Sequence, residues 1–404
     1  MKNFTKGIIL FAVLFTVTLF STYGQTNVSG GIYTNTTWTL AHSPYIVTDT
    51  VVVFPGVTLT IEPGVIVKFD DAVKLEIRQG TLNAIGAVNQ GITFRSSSNS
   101  SNLGLWAGIF VNNSVAHFSY CNFNNADVAV ENLTNNISKC NFNYNKVGLA
   151  SPENIRVDSC SFLNNNYAIN DGGTFPVTSL VTHNFTSHIL NISYCNISNN
   201  ILGICGISNH GTISKCIFDN NRIGIGFCIP CPASMVIDSC HIGNNQYGIY
   251  WVGDGLESLS LVKNSIIENN IISGVSRITN CEIRNCQIND NGTGLNVTSQ
   301  NIIDKNSIYS NGVGIACTYN NNIFDNIIED NDSGIVITYN FNNTDVISCN
   351  RICNNRSYNL MNMNNVPLNV HGNYWCTTDS ALVASHIYDG YDNLNLGFVS
   401  PGSI

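Results

Sequence analysis

Four acids, Asp219, Glu268, Asp304 and Asp325, have the residue type and placement that raise the question of catalysis. Glycoside hydrolysis uses two carboxyl groups about 5 to 9.5 Å apart, one protonating the leaving oxygen while the other attacks or activates water. In the register of the repeat described below, Asp219 and Glu268 share one outward column two turns apart, about 9 to 10 Å by strand spacing. Asp304 and Asp325 lie in adjacent turns but in different columns. Solvated surface carboxylates account for both pairs, because a long repeat aligns some acids by chance. Elimination from a uronate needs a different set, with Arg, Lys or bound calcium neutralising the carboxylate beside a base. Basic residues are scattered singly here, so no catalytic residue is assigned.

The cysteines and aromatics carry the remaining chemistry. Fifteen cysteines include Cys228-Ile-Pro-Cys231, a spacing open to a redox pair, half a metal site or a local disulfide. No second CxxC and no His at ligand spacing accompanies it, so neither metal nor cofactor is expected. Tyr120, Tyr194, Tyr247, Tyr250, Trp251 and Tyr309 are read as outward aromatics on which sugar rings can stack. Some of them serve equally well as covers for bends or for an inserted loop.

These residues are positioned by a repeat of about twenty to twenty-five residues, Cys-x-(Phe/Ile)-x-x-Asn-x-x-Gly-(Ile/Leu), such as Cys140, Phe142, Asn145, Gly148 and Leu149. Such a period signals stacked supersecondary units. The predicted fold is all-β, a single-stranded right-handed parallel β-helix of about a dozen coils. A second apolar position upstream (Phe118, Ile137, Val157, Ile192, Ile213, Ile237, Val262, Ile283, Ile303, Ile323) predicts interior stripes, each burial being worth about 1.5 to 3 kcal/mol. The richness in Gly, Asn, Ser and β-branched residues argues against amphipathic helices.

Two polar columns follow. Asn145, Asn165, Asn200, Asn221, Asn245, Asn270, Asn291, Asn311, Asn331 and Asn355 are predicted to form an asparagine ladder at one left-handed bend. Sequons such as those at Asn136 and Asn196 are read as by-products of Asn-rich turns. Cys121, Cys140, Cys160, Cys195, Cys216, Cys240 and Cys286 form the other column. Their Cβ atoms are expected to point inward in parallel, one strand spacing apart, whereas a relaxed disulfide needs about 3.8 Å. They are therefore expected to be buried free thiols acting as small hydrophobes.

Charged residues make up only 11% of the chain and the net charge is -9, leaving no basic stripe for phosphate backbones, so nucleic acid is not an expected partner. Lys2 and Lys6, an apolar run from Ile8 to Phe20 and small polar residues up to Gly24 predict a signal peptide over 1–24, with export and no transmembrane segment. An N-terminal cap and first coils are expected over 25–100, repeats over 101–365 and a closing segment over 366–404. A loop insertion is expected at about 171–190, carrying His183 and His188. Pro230 and Pro232 mark a smaller excursion.

The stretch Val57-Thr58-Leu59-Thr60-Ile61-Glu62-Pro63-Gly64-Val65, with Lys68-Phe69, Gly80-Thr81-Leu82 and Ala84-Ile85-Gly86, resembles the opening of secreted bacterial β-helix repeat proteins of the pectin-lyase-like superfamily. Asn373-Tyr374-Trp375-Cys376, then Ile387-Tyr388-Asp389 and Tyr391-Asp392, is similar to their closing segment, with Cys376 where Gly is usual. The resemblance implies the fold and admits polysaccharide lyases and glycoside hydrolases. Fold does not confer activity. The function expected is that of an exported, non-catalytic scaffold for extracellular or cell-surface interaction, with a polysaccharide or surface glycan as partner.

Overall fold

The computed structural model describes residues 24–98, 100, 102–171, 189–206, 210–227, 234–251, 260–338 and 346–402. Cys228 and Cys231, His183 and His188, Pro230 and Pro232, and the expected signal peptide except Gly24 lie outside these residues.

Each turn of the chain makes three short strands. Asn141–Asn143, Val147–Ala150 and Ile155–Asp158 form one rung, and Ser161–Leu163, Tyr167–Asn170 and Ile189–Ser193 form the next. Every strand pairs in parallel with its counterpart one rung away, as in Phe142↔Phe162, Leu149↔Ile169 and Val157↔Ile192. The third face is a separate 14-stranded sheet. The first and second faces count as one sheet because Tyr45–Val53 spans both, pairing with Ile66–Phe69 and with Lys74–Arg78.

Alternation along each short strand decides what fills the interior. Phe94, Phe123, Phe142 and Phe162 stack ring on ring at 5.1, 4.7 and 4.6 Å, and Ile197, Phe218, Ile242 and Ile267 continue the same buried column. The upstream stripe from Phe118 to Ile323 is likewise buried. Parallel strands place like on like, so one apolar choice per rung builds a continuous core.

The asparagine ladder is unbroken from Asn145 to Asn355. The Asn145 amide nitrogen donates to Asn165 Oδ1 at 3.0 Å, and the step repeats at each rung down to Asn331 and Asn355. Each Oδ1 also accepts the backbone N–H of the preceding asparagine, and each Nδ2 donates to a strand carbonyl, as Asn245 does to Phe218 O. The left-handed bend expected at these asparagines lies one residue earlier, at Tyr144, Asn164, Asn199, Asn220, Asn244 and their successors, with φ of 54–58°. The ladder position selects Asn for its hydrogen bonds, and the preceding residue takes up the backbone strain.

The cysteine column is buried and unbridged as expected, yet it does more than fill space. Cys140 Sγ lies 3.4 Å from the Cys121 backbone nitrogen, and Cys195 Sγ stands at the same distance from that of Cys160. Where the residue changes, the acceptor role persists. Cys240 N–H donates to Ser265 Oγ, and Cys286 N–H donates to Asn306 Oδ1. From there a second asparagine ladder runs through Asn306, Asn326, Asn350 and Asn373. Burial pushes the Cys286 thiol up to about 12, so it stays protonated and donates to Arg284 O.

Glycine recurs at one position of most rungs, where the strands approach closely, with Ala168 and Asn359 standing in its place in two of them. A Cβ on Gly248 would stand 2.5 Å from Gly274 O.

Asp171 is buried and its N–H donates to Cys205 O, while Ile189–Ser193 is a strand in register with Ile155–Asp158, so Asp171, Ile189 and Leu190, which the expected insertion at about 171–190 included, belong to the rungs. At the far end, Cys353 and Cys376 form a disulfide, a pairing that the sequence reading did not anticipate. Cys376 adopts φ +61° in the place where Gly is usual, and its sulfur ties the closing segment to Arg351–Cys353. The short helix Ser380–Ser385, N-capped by Asp379, and the strand Ile387–Tyr388 finish that end.

Asn245→Ala removes an acceptor for two N–H groups and a donor to Phe218 O, all buried, and is expected to cost about 2 to 5 kcal/mol. Cys216→Ser keeps the acceptor and is expected to cost less than Cys216→Val. Chemical denaturation of the three variants checks this order.

Candidate functional site

Residues that alternate outward on the first face form two parallel columns. One runs Thr93, Asn122, Asn141, Ser161, Asn196, Ile217, His241, Ile266, Gln287 and Ser307. The other runs Asn124, Asn143, Leu163, Ser198, Asp219, Gly243, Glu268, Asn289, Tyr309 and Glu329. The result is a strip of amides and hydroxyls with acids at its centre.

Asp219 and Glu268 occupy one column with Gly243 between them. The two acid positions lie two rungs apart, about 9 to 10 Å by rung spacing, and the space over the buried Gly243 is taken by the His241 ring, whose Nε2 would stand 3.3 Å from a Cβ there. His241, on the neighbouring column, places Nε2 2.9 Å from Glu268 Oε1, and Asn289 Nδ2 donates to Glu268 Oε2 at 3.2 Å. The His241 hydrogen bond outweighs partial burial and holds the Glu268 carboxyl below its usual range. Asn244 Nδ2 donates to Asp219 Oδ1 at 2.7 Å.

Asp304 and Asp325 are not brought to this pair. Asp304 lies on the third face, buried, with Oδ2 at 3.1 Å from Lys305 Nζ, and its Oδ1 has no hydrogen-bond partner. Asp325 is an exposed bend residue at φ +56°. Among the described residues no group of three or more His, Cys, Asp or Glu is placed to hold a metal ion.

The aromatics divide four ways. Trp251 is not outward: it is buried, its ring stacked on Phe227 at 4.9 Å. Tyr120 and Tyr194 sit at left-handed bends, where their hydroxyls bond Lys139 and Lys215, whose ammonium groups also lie over the rings. Tyr247 and Tyr250 pack against a small cluster of Leu202, Cys205 and Ile223 on the outside of the second face. Tyr309 lies in the polar strip, its hydroxyl bonded by Gln287 Nε2. His241, Gly243 and Asn289 were not singled out from sequence, although counting outward positions from each repeat head would have reached them.

Because the folded-state pKa of Glu268 is depressed, its stabilising contribution is full above the ordinary glutamate value of 4.5 and is lost as pH falls through the lowered value. Melting curves of wild type and Glu268→Gln are expected to diverge above that range and to converge below it.

Residues 232–374, a little over a third of the chain, match the family model described as a right-handed β-helix region. No curated protein matches the chain. Among solved structures, a mannuronan C-5 epimerase A-module of Azotobacter vinelandii is similar at 13% identity, covering 88% of this chain and 91% of its own, with a TM-score of 0.35. A periplasmic alginate epimerase is similar at 13% identity over 93% and 85% of the two chains, TM-score 0.33. A surface adhesin of Streptococcus pneumoniae is similar at 14% identity over 77% and 84%, TM-score 0.34. Likeness at this level carries no argument about activity. Among the described residues no helix is long and apolar enough to cross a membrane. By its stacked parallel rungs and by the match over 232–374, the chain is a right-handed parallel β-helix protein.

Proposed function

We propose that this protein is an exported β-helix scaffold that binds carbohydrate through the polar strip of its first face. The observation that carries this reading is the strip itself. Side-chain amides, hydroxyls and Tyr309 recur at one rung spacing along a rigid face, and ordered polar groups of this kind exchange hydrogen bonds with sugar hydroxyls. The rung spacing of about 4.7 to 4.9 Å is close to the length of one sugar unit in an extended glycan. Such a chain can therefore meet hydrogen-bonding groups at successive steps, interrupted at Leu163, Ile217 and Ile266. The expected signal peptide and the Cys353–Cys376 disulfide both suit an oxidising, extracytoplasmic setting.

A second reading is glycoside hydrolysis between Asp219 and Glu268. Its specific support is that the two acids share one outward column two rungs apart, a spacing near the upper end of the inverting range of about 6.5 to 9.5 Å. The Glu268 carboxylate, kept ionised by His241, would be the base of such a pair.

Incubation with a panel of neutral and uronate-containing glycans separates the two. The scaffold reading expects retention on a glycan matrix with no new reducing ends and no unsaturated uronates. Release of either product, abolished by Asp219→Asn or Glu268→Gln, would establish catalysis instead. Absence of retention on every glycan would remove the carbohydrate reading.

A further inference from the structure

Lys68 and Arg95 stand side by side at the N-terminal end of the polar strip, directly paired across parallel strands. Both are half-buried, and among the described residues neither has an ion pair or a side-chain hydrogen bond. This separates them from the other first- and third-face cations that the rungs bring near acids. Arg156 meets Asp158, Lys263 meets Asp238, Arg284 meets Glu282 and Arg351 meets Glu329. Like charges directly opposite one another destabilise a strand pair. The arrangement is costly to the fold, and the nearest acid along the strand, Asp70, is bonded to Ser97 Oγ at 2.6 Å and pairs with neither cation.

The next positions along the same columns are amides and hydroxyls. Thr93 and Asn122 pair in one outward column, and continuation of that register sets Asn124 beside Arg95. Thr93, Asn122, Asn124, Asn141, Asn143 and Ser161 line a shallow cleft of about 300 Å³. Within it Asn141 Nδ2 donates to Asn122 Oδ1 at 2.8 Å, which fixes the orientation of both amides. Two cations without an ion pair among the described residues thus adjoin a concave surface of neutral hydrogen-bonding groups, with Phe142 and Leu163 completing its lining.

We propose that Lys68 and Arg95, with the adjoining Thr93–Asn122–Asn124–Asn141 cleft, form an anion-binding subsite for the carboxylate or sulfate group of an acidic glycan. The proposal rests on the carbohydrate reading above and deepens it by naming the charge class of the ligand and the end of the strip at which it is read. The guanidinium of Arg95 supplies a planar fork suited to either group, and Lys68 supplies a point charge one rung away. The cleft then receives the neutral hydroxyls of the same or the next sugar. An anion between the two cations also removes their mutual repulsion, so ligand binding is expected to raise the melting temperature.

The test uses the full chain and calorimetric titration with three oligosaccharides of equal length: an oligouronate, a sulfated neutral-sugar oligomer and an uncharged oligomer. Wild type, Lys68→Gln/Arg95→Gln and Lys68→Arg are compared. Wild type is expected to bind at least one acidic oligomer about tenfold more tightly than the uncharged one, with affinity falling as salt rises. The double variant is expected to lose that preference while keeping its affinity for the uncharged oligomer, and Lys68→Arg is expected to keep the preference. The uronate and sulfate arms identify which acidic group is read. Because the double variant relieves like-charge repulsion, it is expected to melt at or above the wild-type temperature, so lost binding cannot be ascribed to unfolding. Equal affinity for all three oligomers, or a preference that survives in the double variant, overturns the subsite and leaves the carbohydrate reading standing. No binding of any oligomer overturns both.

Discussion

Everything in this molecule depends on rung-to-rung hydrogen bonding between identical positions. In a parallel stack each strand finds its backbone partners in the rungs before and after, so the bends are where N–H and C=O groups would be left over. The ladder from Asn145 to Asn355 accounts for one bend by giving every rung an acceptor for a backbone N–H and a donor for a strand carbonyl. At the other bend the acceptor is a thiol, then a hydroxyl at Ser265, then an amide from Asn306 onward. Three chemically different residues thus serve one requirement, which is to place an acceptor one rung below an inward-facing N–H.

That requirement explains how the low charge content is compatible with a 404-residue chain. Interior columns admit only side chains that stack on copies of themselves, and the ladder positions admit only short groups that accept a hydrogen bond. Long charged side chains are excluded from both and lie on outward columns or at left-handed bends, as Lys139, Lys215 and Lys305 do, where many find a partner in the same or the neighbouring rung. Arg156 with Asp158 and Lys305 with Asp304 are examples. Each exposed pair contributes little to stability. The fold therefore draws on packing and on neutral hydrogen bonds, in a structure that propagates one rung at a time.

The same logic sets what could be read from sequence. The parallel β-helix, its inward stripes, the asparagine ladder and the shared column of Asp219 and Glu268 all follow from a period and a register, and a period is visible in a single chain. The displacement of the left-handed bend by one residue was not legible, because Asn occupies both the bend and the ladder in most rungs and only Tyr144, Asp290, Ser310 and Asp330 betray the difference. Trp251 was misplaced because its strand extends beyond the repeat phrase, where the inward and outward alternation had not been counted. The Cys353–Cys376 disulfide joins a repeat position to a segment outside the period, so no spacing rule connects the two.

Function is harder to read for a related reason. A residue in an inward column or at a ladder bend is chosen by the rungs on either side of it, so its identity carries information about fold and little else. Outward columns carry no such constraint, and their residues are free to vary without cost to the stack. The informative outward positions are therefore those at which the sequence departs from what the stack would prefer. Gly243, between two acids, gives its place to the His241 ring, which reaches across to Glu268. Lys68 beside Arg95 sets like charges together, and among the described residues neither makes an ion pair. Both departures lie on the first face, one at the N-terminal end of the strip and the other at its centre, so neither is explained by the stack alone.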